Sequence, residues 1–342
     1  MSRLQLLLFS FLLLLFTQCR NNQQDNQQKP FNSSIIAAEI DTHKILLTDV
    51  DLQIKQEIYD ELYRIFTIRK ITLEQTINNY LITKEAERYK LSKDTFINRY
   101  YNHQINERSL QNFILNLHIS FFPELTRTLK YYDLKTEKGK ELAKDSFKKY
   151  LLDKFIDSLK RKHKIQIHIQ QPLPPDISIE KIYAHYTGNT KSKITVLIVS
   201  DLECDKCREY EPIYQKLEKK YSDKVKFGFT HFASYVTLSA IAAECAAKQN
   251  KFWAMKDILF EQKQLPDSNK IFSLAEKLHL DINRFKSDFS DLQIQNTLEY
   301  NFRILKAIGL YATPTVLING KPVFNSSSID EIEKMINLEI SK

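Results

Sequence analysis

Apolar positions change their spacing twice along this chain. Residues 6–16 form an apolar run interrupted only by Ser10. That run suits the core of an export signal but falls short of the roughly 20 residues a membrane-crossing helix needs. From residue 35 the apolar positions recur at helical intervals. Leu73, Ile77, Tyr80, Leu81 and Tyr89 share one face of a segment opened by Thr72, and Tyr150, Leu151, Phe155 and Leu159 line another. A short hairpin turning at Asp41-Thr42-His43 precedes them, and Thr48 then caps a helix with Asp51 at its third position. From residue 177 β-branched runs alternate with helical patterns. Thr195–Ser200 reads as a buried strand, 204–220 as a helix, 225–230 as a second strand and Thr315–Ile318 as a third, followed by a turn at Asn319-Gly320. Ser328 and Glu331 stand at capping-box spacing before a last helix carrying Ile332, Met335 and Ile336. The long stretch between the second and third strands is helical in pattern, notably at 242–259 and 271–278. It is too long for a loop, so it must be a helical subdomain inserted into the sheet unit.

Composition fits two globular domains. The 342 residues are 43% hydrophobic and 11% aromatic, while Gly at 5 and Pro at 9 argue against low complexity and against a turn-rich all-β design. Three prolines fall within residues 172–175 and interrupt regular structure. The expected organisation is a signal peptide at 1–18, a polar tether at 19–34 and a mainly helical domain at 35–169. A proline-rich linker at 170–177 then leads to an α/β domain at 178–342, whose helical insertion spans about 234–311. The net charge of +8 comes from lysines scattered over helix faces, as in Lys160-Arg161-Lys162-His163-Lys164. No recognition motif accompanies it, so nucleic acid is not an expected partner, whereas an anionic membrane surface is compatible with it.

The chemistry concentrates at Cys204-Asp205-Lys206-Cys207, where strand gives way to helix. A helix N-terminus presents unpaired N–H groups and partial positive charge, which favours a thiolate at the first cysteine and sets the second one turn further in. Cys204 is therefore the expected nucleophile and Cys207 the resolving thiol. Lys206 would favour the thiolate, and Glu203 and Asp205 would oppose it. His43, His103, His118, His163 and His168 are too dispersed for a metal set. Cys204, Cys207, Cys245 and His231 lack the second close pair that a structural zinc site uses, so neither metal nor cofactor is expected. Cys245, in an alanine-rich helical segment, reads as a small buried hydrophobe, and His231 with Phe232 as core or active-site rim.

Three resemblances sharpen this reading. Phe16-Thr17-Gln18-Cys19 resembles the bacterial lipoprotein box, which implies lipidation at Cys19. Residues 38–51 with Leu81-Ile82-Thr83-Lys84-Glu85-Ala86 resemble the N-terminal helical region of SurA- and PrsA-type chaperones, implying client binding. Residues 178–342 resemble the DsbA-like branch of the thioredoxin superfamily. The residues that carry this are Ser200 to Cys207, Pro212 in the following helix, Glu244-Cys245-Ala246-Ala247 with Lys251-Phe252-Trp253, and Ala312-Thr313-Pro314-Thr315. The fold implied is α/β: a thioredoxin fold with an inserted helical subdomain, preceded by a mainly α-helical domain. The resemblance further implies that Pro314 follows a cis bond and that the Thr313 backbone pairs with an extended client strand. Where these families often bury an acid, six residues before the nucleophile, this chain has Ile198. The activity implied is thiol–disulfide exchange with unfolded, cysteine-containing exported proteins in the bacterial envelope, periplasm-facing, with oxidation the first direction and a membrane redox partner to reoxidise the dithiol. Isomerase and reductase readings stay open, as does a non-catalytic client-binding lipoprotein.

Overall fold

The computed structural model describes residues 35–115 and 136–342. The apolar N-terminal run, Cys19 and the polar tether lie outside the described residues. The chain forms two compact units: residues up to Glu61 together with Leu173–Lys342, and Leu62–Pro172.

The first unit opens with a hairpin of β1 (Ile36–Ile40) and β2 (His43–Leu46). Asp41 takes a positive φ of 54° in its turn, a conformation that Asp tolerates better than most residues. Helix α1 (Leu47–Gln53) starts two residues earlier than the Thr48 cap predicts, because the cap is Leu46 and the Asp49 carboxylate reaches back to its amide at 2.9 Å. Helix α2 (Lys55–Arg88) follows, and the division between the units falls within it. Thr72 therefore does not open a helix: its carbonyl accepts the Thr76 hydroxyl at 2.8 Å inside a continuous one.

In the second unit α3 (Lys93–Gln104), α4 (Glu107–Leu115) and α5 (Glu137–Lys162) accompany the rest of α2. Leu81, Ile82, Ile156 and Leu159 form its main cluster, flanked by Phe96 and Phe155, while Phe113 stacks on Phe147 with ring centroids 4.7 Å apart. Tyr80 and Tyr89 are exposed, so the buried stripe of α2 runs through Leu81 and Ile82 and not through the predicted tyrosines.

The main sheet has the order β3-β5-β4-β6-β7, built from β3 (His185–Gly188), β4 (Thr195–Ser200), β5 (Lys226–His231), β6 (Thr315–Ile318) and β7 (Lys321–Pro322). Strand β4 runs parallel to β5 and antiparallel to β6, and it is buried along its whole length, as an unbroken apolar run requires. Alternation divides its side chains. Val196 and Ile198 face the cluster of α6 (Asp205–Tyr221) and the final helix (Ile329–Ile340), and Leu197 and Val199 pack with Leu305, Leu310 and Leu317. Gly228 of β5 has a specific reason: a Cβ there would sit 2.8 Å from the Tyr186 ring and 2.9 Å from the Leu197 side chain.

The insertion between β5 and β6 consists of α7 (Leu238–Ala247), α8 (Phe252–Phe260), α9 (Ser268–Lys277), α10 (Ile282–Phe289) and α11 (Leu292–Ala307). The predicted helix at 242–259 is in fact two, interrupted at Asn250 with a φ of 59°. Met255, Leu259, Ile271 and Phe285 anchor its core, each worth about 1.5–3 kcal/mol on burial. After β7, the final helix α12 (Ile329–Ile340) is capped by Ser328, whose hydroxyl accepts from the Glu331 amide at 3.2 Å. Among the described residues no helix is long and apolar enough to cross a membrane.

Candidate active site

Cys204 is the N-cap of α6, and the chain wraps around it: its amide donates to the Asp201 carbonyl at 3.2 Å and its carbonyl accepts from the Arg208 amide at 3.1 Å. Cys204 is half-buried and Cys207, one turn on, is fully enclosed. The Asp201 amide donates to Cys207 Sγ at 3.5 Å. Burial pushes the Cys207 thiol up to about 12, although hydrogen bonds from Ser200, the Asp201 amide and Thr313 oppose the rise. The pair is thus asymmetric: one sulfur can be reached from outside, and the other is shielded and held as a thiol.

Three elements converge here. Ser200 ends β4, α6 begins at Asp205, and the loop before β6 brings Thr313 onto Cys207. Thr315, the first residue of β6, pairs with Val199, which fixes that loop beside the end of β4. The Thr313–Pro314 peptide is cis.

The charged residues around the motif are already engaged. Glu203 accepts from the Ser239 amide at 3.1 Å in the first turn of α7, Asp205 pairs with Arg208 at 2.9 Å, and Lys206 pairs with Glu209 at 2.7 Å. Lys206 is raised chiefly by Glu209, with Cys204 the smallest contributor, so its charge is directed mainly at its helical neighbour. Cys245 is wholly buried, and burial pushes its thiol up to about 12.

Two buried polar groupings escaped the sequence reading. Glu211, one turn beyond Cys207, forms a buried ion pair with Lys256 of α8. Spacing alone places Glu211 on the Cys207 face of α6, but nothing local points to Lys256. Glu244 of α7 is likewise buried, accepting from the Tyr183 hydroxyl at 2.7 Å, with His185 Nε2 at 2.9 Å and His231 Nε2 at 3.2 Å from its Oε1. Burial alone would raise its carboxyl, but the two histidines outweigh that and hold it well below the usual carboxylate range. His231 lies opposite Ser200 in the β4–β5 register, in the core behind the site.

A strand-to-helix dithiol beside a proline loop is the arrangement of a thioredoxin-like domain, and comparison with known proteins agrees. Residues 180–338 match the family model described as thioredoxin, so the C-terminal half is a thioredoxin-family domain with the thioredoxin fold. A Na(+)/H(+) antiporter NhaA 3 of Salinispora tropica is 28% identical over 160 residues, covering 45% of this chain and 24% of that protein. The chain thus spans about a quarter of the length of that antiporter. Disulfide bond formation protein D of Bacillus subtilis is 25% identical over 169 residues, covering 45% of this chain and 75% of that one. Among solved structures, oxidised BdbD of Bacillus subtilis matches at 24% identity with a TM-score of 0.42, over 50% of this chain and 98% of that one. The catalytic domain of Proteus mirabilis ScsC matches at 18% identity with a TM-score of 0.42, over 48% and 93%.

Proposed function

We propose that this protein exchanges disulfides with unfolded, cysteine-containing exported proteins, with Cys204 as the attacking or attacked sulfur and Cys207 resolving the mixed disulfide. The observation that carries the reading is the asymmetry of the dithiol: an accessible Cys204 at a helix N-cap and an enclosed Cys207 bonded to the Thr313 loop. Thr313 and Pro314 form the edge that receives the client's main chain. The likeness to disulfide bond formation protein D supports oxidation as the direction. The apolar segment ending at Cys19 supports export and a lipid tether in the bacterial envelope, facing the periplasm, where a membrane redox partner would reoxidise the dithiol.

The test is the reduction potential of the Cys204–Cys207 pair in the full chain, read by thiol trapping across glutathione buffers. A midpoint near −120 mV marks a disulfide donor, and one near −270 mV marks a reductase and overturns the oxidising direction. A chain that never forms the disulfide would leave client binding without redox chemistry.

A pH dependence follows from Cys207. A mixed disulfide on Cys204 that the client has no second thiol to resolve is released when Cys207 gives up its proton, and burial makes that thiol a weak acid. Well below about 12, the thiolate fraction rises tenfold per pH unit. Release of a single-cysteine client from the mixed disulfide should therefore quicken about tenfold per unit between roughly pH 6 and 9, without a plateau. Acid quenching and gel separation measure it, and a flat profile would mean that a neighbouring group takes the proton within the complex.

A further inference from the structure

One residue far from the cysteines in sequence holds both ends of the loop that carries Thr313. Gln56, at the start of α2, is buried at 4% exposure. Its backbone amide donates to the Gly309 carbonyl at 3.3 Å, and its side-chain Nε2 donates to Thr315 Oγ1 at 2.9 Å. The Thr315 hydroxyl in turn donates to the Ala312 carbonyl at 2.8 Å. A directional chain of hydrogen bonds thus runs from Gln56 through Thr315 into the loop whose next residue, Thr313, bonds Cys207. Neighbouring contacts reinforce it. Tyr311 donates to Asp60 at 2.9 Å, Lys55 Nζ donates to the Asp176 carbonyl at 3.1 Å, and a Cβ on Gly309, whose φ is 91°, would meet the Leu52 carbonyl oxygen at 2.9 Å. The fit leaves room only for glycine at that point.

We propose that Gln56 is a positioning residue for client capture: it clamps the 309–315 loop so that the Thr313 edge is presented in one conformation, which makes residues 52–60 a working part of the exchange site. This rests on the reading of the Thr313 edge as the place where clients dock. A donor at residue 56 is needed for a reason of direction. The Thr315 proton is committed to the Ala312 carbonyl, so the group that ties the Thr315 oxygen to α2 has to be a donor. Take the donor away and Thr315 loses its tie to α2, which loosens the loop backbone that a client strand must pair with. Gln56 Oε1 has no hydrogen-bond partner among the described residues, so the side chain is retained at this buried position with only its donor end satisfied.

The experiment uses the full chain carrying Gln56→Met, which keeps the length and packing of the side chain and removes both the donor and the unpaired oxygen. Loss of the unpaired acceptor offsets loss of the bond, so the unfolding midpoint should hardly move. Amide hydrogen exchange over residues 309–315 should quicken roughly tenfold while the rest of the sheet keeps its protection. The KM for a reduced cysteine-containing peptide should rise roughly tenfold, with kcat changed by less than about twofold. Thr315→Val removes the middle of the chain and should give the same pattern, and the double variant should be no worse than either single one. Unchanged protection of 309–315 overturns the clamp, and so does a loosened loop with an unchanged KM. A merely structural role would instead lower the unfolding midpoint and loosen the sheet generally. If the wild-type chain exchanged no disulfides at all, the functional reading would fall, and loop protection in the variants would still decide whether Gln56 clamps the loop.

Discussion

Cys204→Ser should lose disulfide exchange down to the uncatalysed background, a fall on the order of 10³-fold or more, whereas Cys207→Ser should stall with the client covalently attached. The two sulfurs differ in access. In the oxidising direction a client thiolate attacks Cys204 Sγ of the internal disulfide: the Cys204–client S–S bond forms, the Cys204–Cys207 bond breaks with Cys207 taking up a proton, and the client's second thiolate then displaces Cys204. In the reverse direction the half-buried Cys204 thiolate attacks a client disulfide: the Cys204–client S–S bond forms, the client's own S–S bond breaks, and its second sulfur leaves as thiolate. With Cys207 present, its thiolate then attacks Cys204 Sγ, expels the client sulfur and leaves the internal disulfide. A serine at 207 has no sulfur to close that bond, so mixed disulfides accumulate and survive non-reducing electrophoresis. In Cys204→Ser the remaining thiol is fully enclosed and, with its proton held by burial, offers clients neither access nor thiolate. Trapped clients in the Cys204→Ser variant and none in Cys207→Ser would reverse the assignment. The same variant separates the two functional classes: if an aggregating client were protected as well by Cys204→Ser as by the wild type, that protection would belong to the helical part of the chain.

What was legible in the sequence was what local pattern determines. The Thr195–Ser200 run has six consecutive buried positions, and its shortness and β-branched content mark it as a central strand covered on both faces. The Asn319-Gly320 turn and the Ser328 cap are written in adjacent residues, and both are present, with positive φ at Asn319 and Gly320. Long-range partners were not legible. Strand β3 reads His185-Tyr186-Thr187-Gly188, a polar tetrapeptide that becomes a strand only because β5 offers it an edge. Thr72 looked like a cap because Thr favours caps, yet a continuous helix costs it only a few tenths of a kcal/mol and packing overrides that preference. Gln56 and Thr315 are separated by 259 positions, and nothing near either one marks the other. The cysteines and the Thr313 loop could be found from motifs. The groups that hold them in place could be found only once the chain was folded.

The largest loss of stability should come from Lys256→Met. Lys256 is 3% exposed and Glu211 4%, and the ammonium also meets Asp257 at 2.9 Å and lies 5.5–5.9 Å from the ring centres of Phe229, Trp253 and Phe260. Burial would lower the ammonium's pKa, but Glu211 and Asp257 outweigh it and raise it. Burial raises the Glu211 carboxyl, with Lys256 only partly offsetting it, and Glu218 nearby is raised for the same reason. Removing the lysine leaves Glu211 enclosed without its counter-charge, at a cost of about 3–5 kcal/mol near neutral pH, read from urea unfolding. The sign of the pH dependence is fixed by the same burial. In the variant the folded-state pKa of Glu211 lies above the unfolded value of about 4.3, so the protonated fold suffers no penalty below that value. The deficit should open as pH rises from there toward the folded pKa, and a deficit equal at pH 4 and pH 7 would mean that lost packing, not the stranded charge, is responsible. Adding Glu211→Leu should then restore stability to the wild-type level or up to about 4 kcal/mol beyond it, because an apolar pair of similar volume carries no desolvation cost. A double variant as unstable as Lys256→Met alone would show that the pair holds α6 to α8 through its hydrogen bonds and ring contacts, and that charge compensation is not what the fold loses.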